Sequence, residues 1–247
     1  MDRLIYTALT GMTAAMDRQR VVANNLANAT TTGFRAEEFA VTPITLKGGQ
    51  LEVRSMAQGA VHGTDMASGT VRQTGQPLDI ALGGDALMAL QAADGGEIYT
   101  RRGDLRVASS GVLENGDGLP VLGQGGPITV PPGAQLSIAE DGAVLARDPA
   151  TPDLPPQEVA RIKLASPQGS ALLKDIDGFL RVPGCGVLPD DPTARVVSGA
   201  LEGSNVDTAT TLVQMVEAQR AFEQRARILT TANELSQSGA RLMSLRG

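Results

Sequence analysis

Tryptophan is absent from this chain of 247 residues, and two tyrosines with four phenylalanines bring the aromatic share to only 2%. A core made from such a sequence relies on Ala, Val, Leu, Ile and Met, each buried Leu or Ile contributing about 1.5–3 kcal/mol. That composition suits many small, extended contacts better than one aromatic-rich pocket. Cysteine occurs once, at Cys185, which excludes an intrachain disulfide and a thiolate metal cluster. Its neighbours Gly184 and Gly186 fit a small packed or partly exposed thiol. Histidine also occurs once, at His62, with no carboxylate or cysteine near it at metal-ligand spacing. No family-type context joins Cys185 and His62 into a nucleophilic couple.

Other absences narrow the function classes further. There is no basic block of about five residues, and the formal net charge is −6. Neither nucleic acid nor an anionic membrane surface is therefore expected as a partner. Nothing approaches the roughly eighteen uninterrupted apolar residues of a membrane span. Gly123-Gln124-Gly125-Gly126 lacks the third glycine of a dinucleotide loop and precedes a proline instead of a helix, so it reads as a turn. Asn115-Gly116-Asp117-Gly118 has no Glu following at EF-hand spacing and reads as a hairpin turn. No convergent acid–base pair is present. The expectation is a non-enzymatic protein with no catalytic, cofactor-binding or metal-binding residues and no small-molecule substrate.

What is present is concentrated at the two ends. Near the start, Ile5, Leu9, Met12, Met16, Val22 and Leu26 recur at helical steps along one side. Near the finish, Leu212, Met215, Phe222, Leu229, Leu235, Leu242 and Leu245 do the same over a longer run. Neither helix can bury its stripe alone, so the ends are expected to pair with each other or with neighbouring subunits. Asp2 is placed to cap the first helix, which should run to about Ala29, where Thr30-Thr31-Thr32-Gly33 ends it. Ser204-Asn205-Val206-Asp207 opens the second, in the pattern of a Ser or Asn cap with an acid in the first turn. Leu4 to Met16 could pass for a weak secretion-signal core. However, Asp2 offsets Arg3, Asp17-Arg18-Gln19-Arg20 follows at once, and the periodicity continues to Leu26. A retained, uncleaved helix is expected.

Between the ends, glycine (29 in all) and proline (14) mark turns and irregular backbone. Residues 34–76 carry scattered apolar positions separated by glycines and read as an extended connector with short strands. They are too apolar for a disordered tail. Residues 77–203 read as a β-rich outer domain. Leu78–Leu82, Leu87–Gln91 and Ile98–Thr100 are strands, and Asp94-Gly95-Gly96, Asn115–Gly118, Asp141-Gly142 and Asp177-Gly178 are turns. Such a pattern fits a compact antiparallel barrel or sandwich. The predicted fold is α+β: residues 1–33 with 204–247 form a coiled-coil-like helical domain, and the connector and an antiparallel β domain are inserted between them.

Several segments together resemble the flagellar axial protein family of bacterial rods and hooks. Ala23-Asn24-Asn25-Leu26-Ala27-Asn28-Ala29-Thr30-Thr31-Thr32-Gly33-Phe34-Arg35 is similar to that family's N-terminal motif. Tyr99-Thr100-Arg101-Arg102-Gly103, Val121-Leu122-Gly123 and Gly126-Pro127-Ile128 are similar to the β domain of its rod members. Glu202-Gly203-Ser204-Asn205-Val206-Asp207 and Gln219-Arg220-Ala221-Phe222-Glu223 match its C-terminal helix. The opening Met1–Ala8 and the length look most like the proximal rod type, with the distal rod type as nearest rival. One departure stands out: rod members usually carry paired aromatics where this chain has Asp85-Ala86-Leu87-Met88, which bears on local core packing.

The resemblance implies a structural subunit of the basal-body rod, polymerising into the helical shaft that transmits motor torque. It also implies export without a cleaved signal by the flagellar type III apparatus. Its partners would be copies of itself and other rod proteins, proximal and distal, in a periplasmic rod without membrane insertion. Subunits of this family meet through heterologous contacts, which generate open helical arrays. In that setting the two stripes are the packing residues. Asn24, Asn25, Asn28, Gln214 and Gln219 either fix register by interhelical hydrogen bonds or merely end a helix and face solvent. The different-class alternative is a secreted β-domain binding protein on a coiled-coil stalk.

Overall fold

The computed structural model describes residues 2–47, 52–151, 154–175 and 177–244, with the backbone alone at some positions inside helices and strands. Among these residues the chain is α+β and mainly β: two long α-helices and many short, largely antiparallel strands. They fall into two compact units. A helical unit draws on Met1–Ala27, Glu37–Gly63 and Asp207–Gly247, and a β unit on Asn28–Ala36 and Thr64–Val206. The chain therefore passes from one unit to the other four times.

In the helical unit, α1 spans Asp2–Ala27 and α2 spans Thr208–Ser244. Asp207 caps α2: its Oδ1 accepts the backbone N–H of Ala209 at 2.8 Å and of Thr210 at 3.3 Å. Those two N–H groups, Thr210's foremost, hold the Asp207 carboxyl below its usual pKa range. The cap is thus Asp207 and not Ser204 or Asn205, because only Asp207 stands immediately before the first helical residue. Gly239 does not interrupt α2, which continues to Ser244. Residues expected as a connector with short strands instead supply two long ones, β1 (Glu37–Lys47) and β2 (Glu52–Thr64), paired with each other. Gly59 of β2 has no room for a side chain. A Cβ there would meet the Phe39 ring at 2.6 Å and Ala14 Cα at 3.2 Å, which fixes how closely β2 and β1 lie on α1.

In the β unit the expected single barrel or sandwich resolves into several small antiparallel sheets. β3 is Val71–Gln73, β4 Ile80–Leu82, β5 Leu87–Gln91 and β6 Glu97–Thr100. The largest sheet has five strands in the order Leu164–Ala165, β5, β6, Leu180–Arg181, Leu173–Lys174. A three-stranded sheet joins Gln135–Ile138, Ala143–Arg147 and Gln157–Arg161. β3 pairs with Ala200–Glu202 and β4 with Val196–Ser198. The strands of the β unit are two to five residues long and many are bounded by glycine turns.

β5 is buried on both faces, and alternation sends its side chains into two different cores. Met88 and Leu90 join Ile80, Ile98, Leu113, Val121, Ile128 and Val144 in the larger cluster. Leu87 and Ala89 join Tyr99, Ala165, Leu180 and Leu188 in the smaller. Leu87-Met88 thus serves two cores at once, and both residues are fully buried.

Candidate functional site: the chain crossings and the outer helix faces

The sequence stripes land differently from a simple buried seam. Val22 is buried on α1, and Met12, Leu26, Met215, Phe222 and Leu229 are half-buried. Leu9, Met16 and Leu212 are exposed, at 46%, 46% and 53%. Among the described residues the buried positions on the helices are mostly small ones: Ala14 and Ala15 beside Val21, Val22 and Asn25 on α1, and Thr211, Ala218 and Ala232 on α2. Small side chains allow close approach of backbones, so the interior of the unit selects them and leaves larger aliphatics outside. Val213, Val216 and Ile228 of α2 are likewise 59%, 48% and 54% exposed. The side chains of Ile5, Leu235 and Leu242, the whole of Leu245, the Asp2 cap, and the side chains of His62 and Cys185 lie outside the described residues.

The amide residues bind strand and turn more than helix. Asn25 is buried and makes a paired amide contact with the β1 backbone: its Nδ2 donates to Glu37 O at 3.0 Å, and Glu37 N donates to its Oδ1 at 2.9 Å. Asn24 Nδ2 donates to the Glu37 carboxylate at 2.6 Å. Asn28 Oδ1 accepts from Thr31 Oγ1 at 3.1 Å in the turn that ends α1. Gln219 is exposed and lies 3.5 Å from Glu223 on its own helix, and Gln214 is exposed.

Inside the β unit the three motif segments converge on one buried carboxylate. Glu202, fully buried, receives Arg35 Nη2 on Oε1 and Arg101 Nε on Oε2, both at 2.7 Å, and the Gly69 N–H on Oε1 at 2.8 Å. The side chains of Arg35 and Arg101 are 3% and 1% exposed. Arg101 also donates to the carbonyls of Leu82, Gly84 and Ala86 at 2.6, 2.7 and 2.8 Å. Burial pulls the Arg101 guanidinium below its ordinary pKa, opposed by its bond to Glu202. Arg35 Nε and Nη1 are buried without a hydrogen-bond partner, so Glu202 is that guanidinium's chief support. Lys174 closes the other side, its Nζ 3.4 Å from the Phe34 ring centre and donating to Arg35 O at 2.9 Å.

Glycines make this convergence possible. Gly33 has φ +68°, its N–H donates to Glu202 O at 2.8 Å, and a Cβ there would run into the Arg101–Arg102 backbone. Gly103, at the end of the central motif, has Ile80 O where a Cβ would stand. Between them, Tyr99 accepts the buried Leu188 N–H on its hydroxyl at 2.7 Å. Arg102 spans Asp104 at 2.7 Å and Asp117 at 2.5 Å. The junction escaped sequence reading because its charges lie 167 and 101 residues apart. Its only sequence signal was that Arg35, Arg101 and Glu202 all fall inside the resembling motifs.

Among the described residues no group of His, Cys, Asp and Glu could hold a metal ion, and no helix is long and apolar enough to cross a membrane. Buried charge that ties distant segments together, with apolar side chains left outside on two long helices, defines a structural class of protein. Comparison with known families agrees. Residues 5–35 match the family described as Flagella basal body rod protein, residues 81–146 the Flagellar hook protein FlgE/F/G D1 domain, and residues 197–242 the Flagellar basal body rod FlgEFG protein C-terminal. The chain is 38% identical to the flagellar basal-body rod protein FlgF of Salmonella typhimurium strain LT2 over 99% of this chain and 100% of the relative. It is equally 38% identical, over the same shares, to that of Escherichia coli strain K12. The flagellar basal-body rod protein FlgG of Agrobacterium fabrum strain C58 is 31% identical over 95% of this chain and 97% of its own length. The chain belongs to the flagellar basal-body rod protein family, and it is a structural rod subunit of the proximal, FlgF type.

Proposed function

We propose that this subunit polymerises through its terminal helices into the helical shaft that carries motor torque, as a mechanical part with no enzymatic role. The observation that carries this reading is the set of large aliphatic side chains outside on the helices: Leu9, Met16, Leu212, Val213, Val216 and Ile228 are each about half exposed. Six such positions on two helices exceed what scattered surface hydrophobics require and fit coverage by neighbours. α1 and α2 pair in a coiled-coil-like manner, and neighbouring copies cover the outer faces. Heterologous contacts, in which one helix face of a copy meets a different face of its neighbour, propagate an open array, with other rod proteins continuing it at the ends. The chain reaches a periplasmic rod through the flagellar export apparatus, without cleavage of its first helix.

Leu229, half-buried on α2, provides the test. Leu229→Asp abolishes assembly, followed by sedimentation and by motility of complemented cells, and leaves the melting of the β unit unchanged. Normal assembly of the variant would refute the helix-mediated reading. Loss of the β-unit transition would place the helix in that unit's own core.

A further inference from the structure

The chain enters or leaves the β unit at four points, next to Asn28, Ala36, Thr64 and Val206. Three of the four are tied to one side chain. Asn205 Oδ1 accepts the Ala36 N–H at 2.8 Å, and its Nδ2 donates to Asp65 O at 2.9 Å and Ala67 O at 3.1 Å. Its own N–H donates to Phe34 O at 3.3 Å, and Asp65 N donates to Ala36 O at 2.8 Å. One amide side chain thus uses its acceptor and both donors on three different backbone positions. The fourth point is reached through the neighbouring Glu202, whose carbonyl accepts the Gly33 N–H and whose carboxylate holds Arg35. Gly203 N donates to Thr70 O at 2.8 Å, completing the block.

We infer that Asn205 is a positioning residue: it clamps the exits of the β unit into one block, so force delivered along the chain arrives at that block and not through independent tethers. The residues around it divide the work. Arg101, Tyr99 and the two apolar clusters hold the β unit together without Asn205. Among the described residues, the hydrogen bonds of Asn205 to other segments go to those adjoining the crossings, Phe34–Ala36 and Asp65–Ala67. An amide suits this position, since a carboxylate has no donors for Asp65 O and Ala67 O, and a hydroxyl lacks the reach for three partners. The mechanical part of the inference rests on the rod-subunit reading, whereas the clamp itself does not.

The test compares the full chain carrying Asn205→Ala with Asn205→Asp and with the unchanged protein. Amide exchange is read at Gly33 and Asp65, whose own hydrogen-bond partners survive both substitutions. The melting of the β unit is followed through Tyr99. In Asn205→Ala, exchange at Asp65 accelerates about fivefold or more, the factor carried by roughly one net hydrogen bond, while the β-unit melting midpoint stays in place. Asn205→Asp retains the Ala36 arm and gives an intermediate acceleration. In cells, Asn205→Ala still assembles but loses swimming speed disproportionately in viscous medium. Unchanged exchange at Asp65 would overturn the clamp. Accelerated exchange with undiminished swimming under load would overturn its mechanical part. Failure of even the unchanged protein to support a rod would refute the rod reading and leave the exchange result standing.

Discussion

Replacing Glu202 by Ala removes a fully buried carboxylate from between two guanidiniums that are themselves almost inaccessible to water. The two arginines are not affected equally. Arg101 keeps three carbonyl partners, so its charge remains solvated by backbone dipoles. Arg35 loses the acceptor of its Nη2, and its Nε and Nη1 already have no hydrogen-bond partner. Gly69 N–H loses its acceptor as well. Removing one partner of a buried ion pair destabilises by about 3–5 kcal/mol, because the remaining charge is left uncompensated. For a chain of this size roughly 2–4 °C in Tm accompanies each kcal/mol, so a fall of about 6–20 °C is expected in the β-unit transition. Near-ultraviolet circular dichroism is a suitable probe because Tyr99 is fully buried in that unit. Glu202→Gln, which keeps an acceptor oxygen but no charge, falls between Ala and the unchanged protein. Arg35→Met in the Glu202→Ala background recovers part of the loss, since it removes the stranded charge. A shift below about 2 °C for Glu202→Ala would place the junction with ordinary surface pairs and refute the argument. So would a lack of coupling between positions 35 and 202 in the double-mutant cycle.

Alkaline pH tests the smaller core. Burial raises the Tyr99 phenol from its usual value near 10 to about 12, so the folded state holds the proton more tightly than the unfolded chain. The associated stability, about 2–3 kcal/mol, is fully present below pH 10 and lost as the pH rises through 12. Tyr99→Phe flattens the pH dependence in that window, measured by denaturant unfolding, and weakens the fold at neutral pH by leaving the Leu188 N–H unpaired. Persistence of the full alkaline slope in Tyr99→Phe would assign it to another group. Gly33→Ala combines a left-handed backbone with a steric conflict against Arg101–Arg102. It lowers β-unit stability by about 1–3 kcal/mol, checked by the same melting measurement, and a neutral effect would contradict the close approach.

The presence and periodicity of the two helices, the acidic balance, the turn positions and the family motifs were all legible in the chain, because each depends on local spacing or on residue type alone. Apolar residues at helical intervals specify a helix wherever they are placed, and Asn115-Gly116 or Asp141-Gly142 specify a turn with little help from the rest. Which side of each helix would be covered was not legible. Periodicity marks an apolar stripe, but the folded unit buries Ala14, Ala15, Val21, Val22, Ala218 and Ala232 and leaves Leu9, Met16 and Leu212 outside. The long β1 and β2 were hidden as well, since a strand's extent depends on what pairs with it. The asparagines likewise had no readable partners until Asn25 met Glu37 on β1.

Sequence by itself therefore determined the class of this protein: helical ends, a glycine-punctuated β middle and motifs of the rod family that together describe a structural subunit. Tertiary structure alone decided how the three motifs work. Arg35, Arg101 and Glu202 are ordinary charged residues when read in line. Only the folded chain removes them from water together, and only there does an isolated charge cost enough to require its partner.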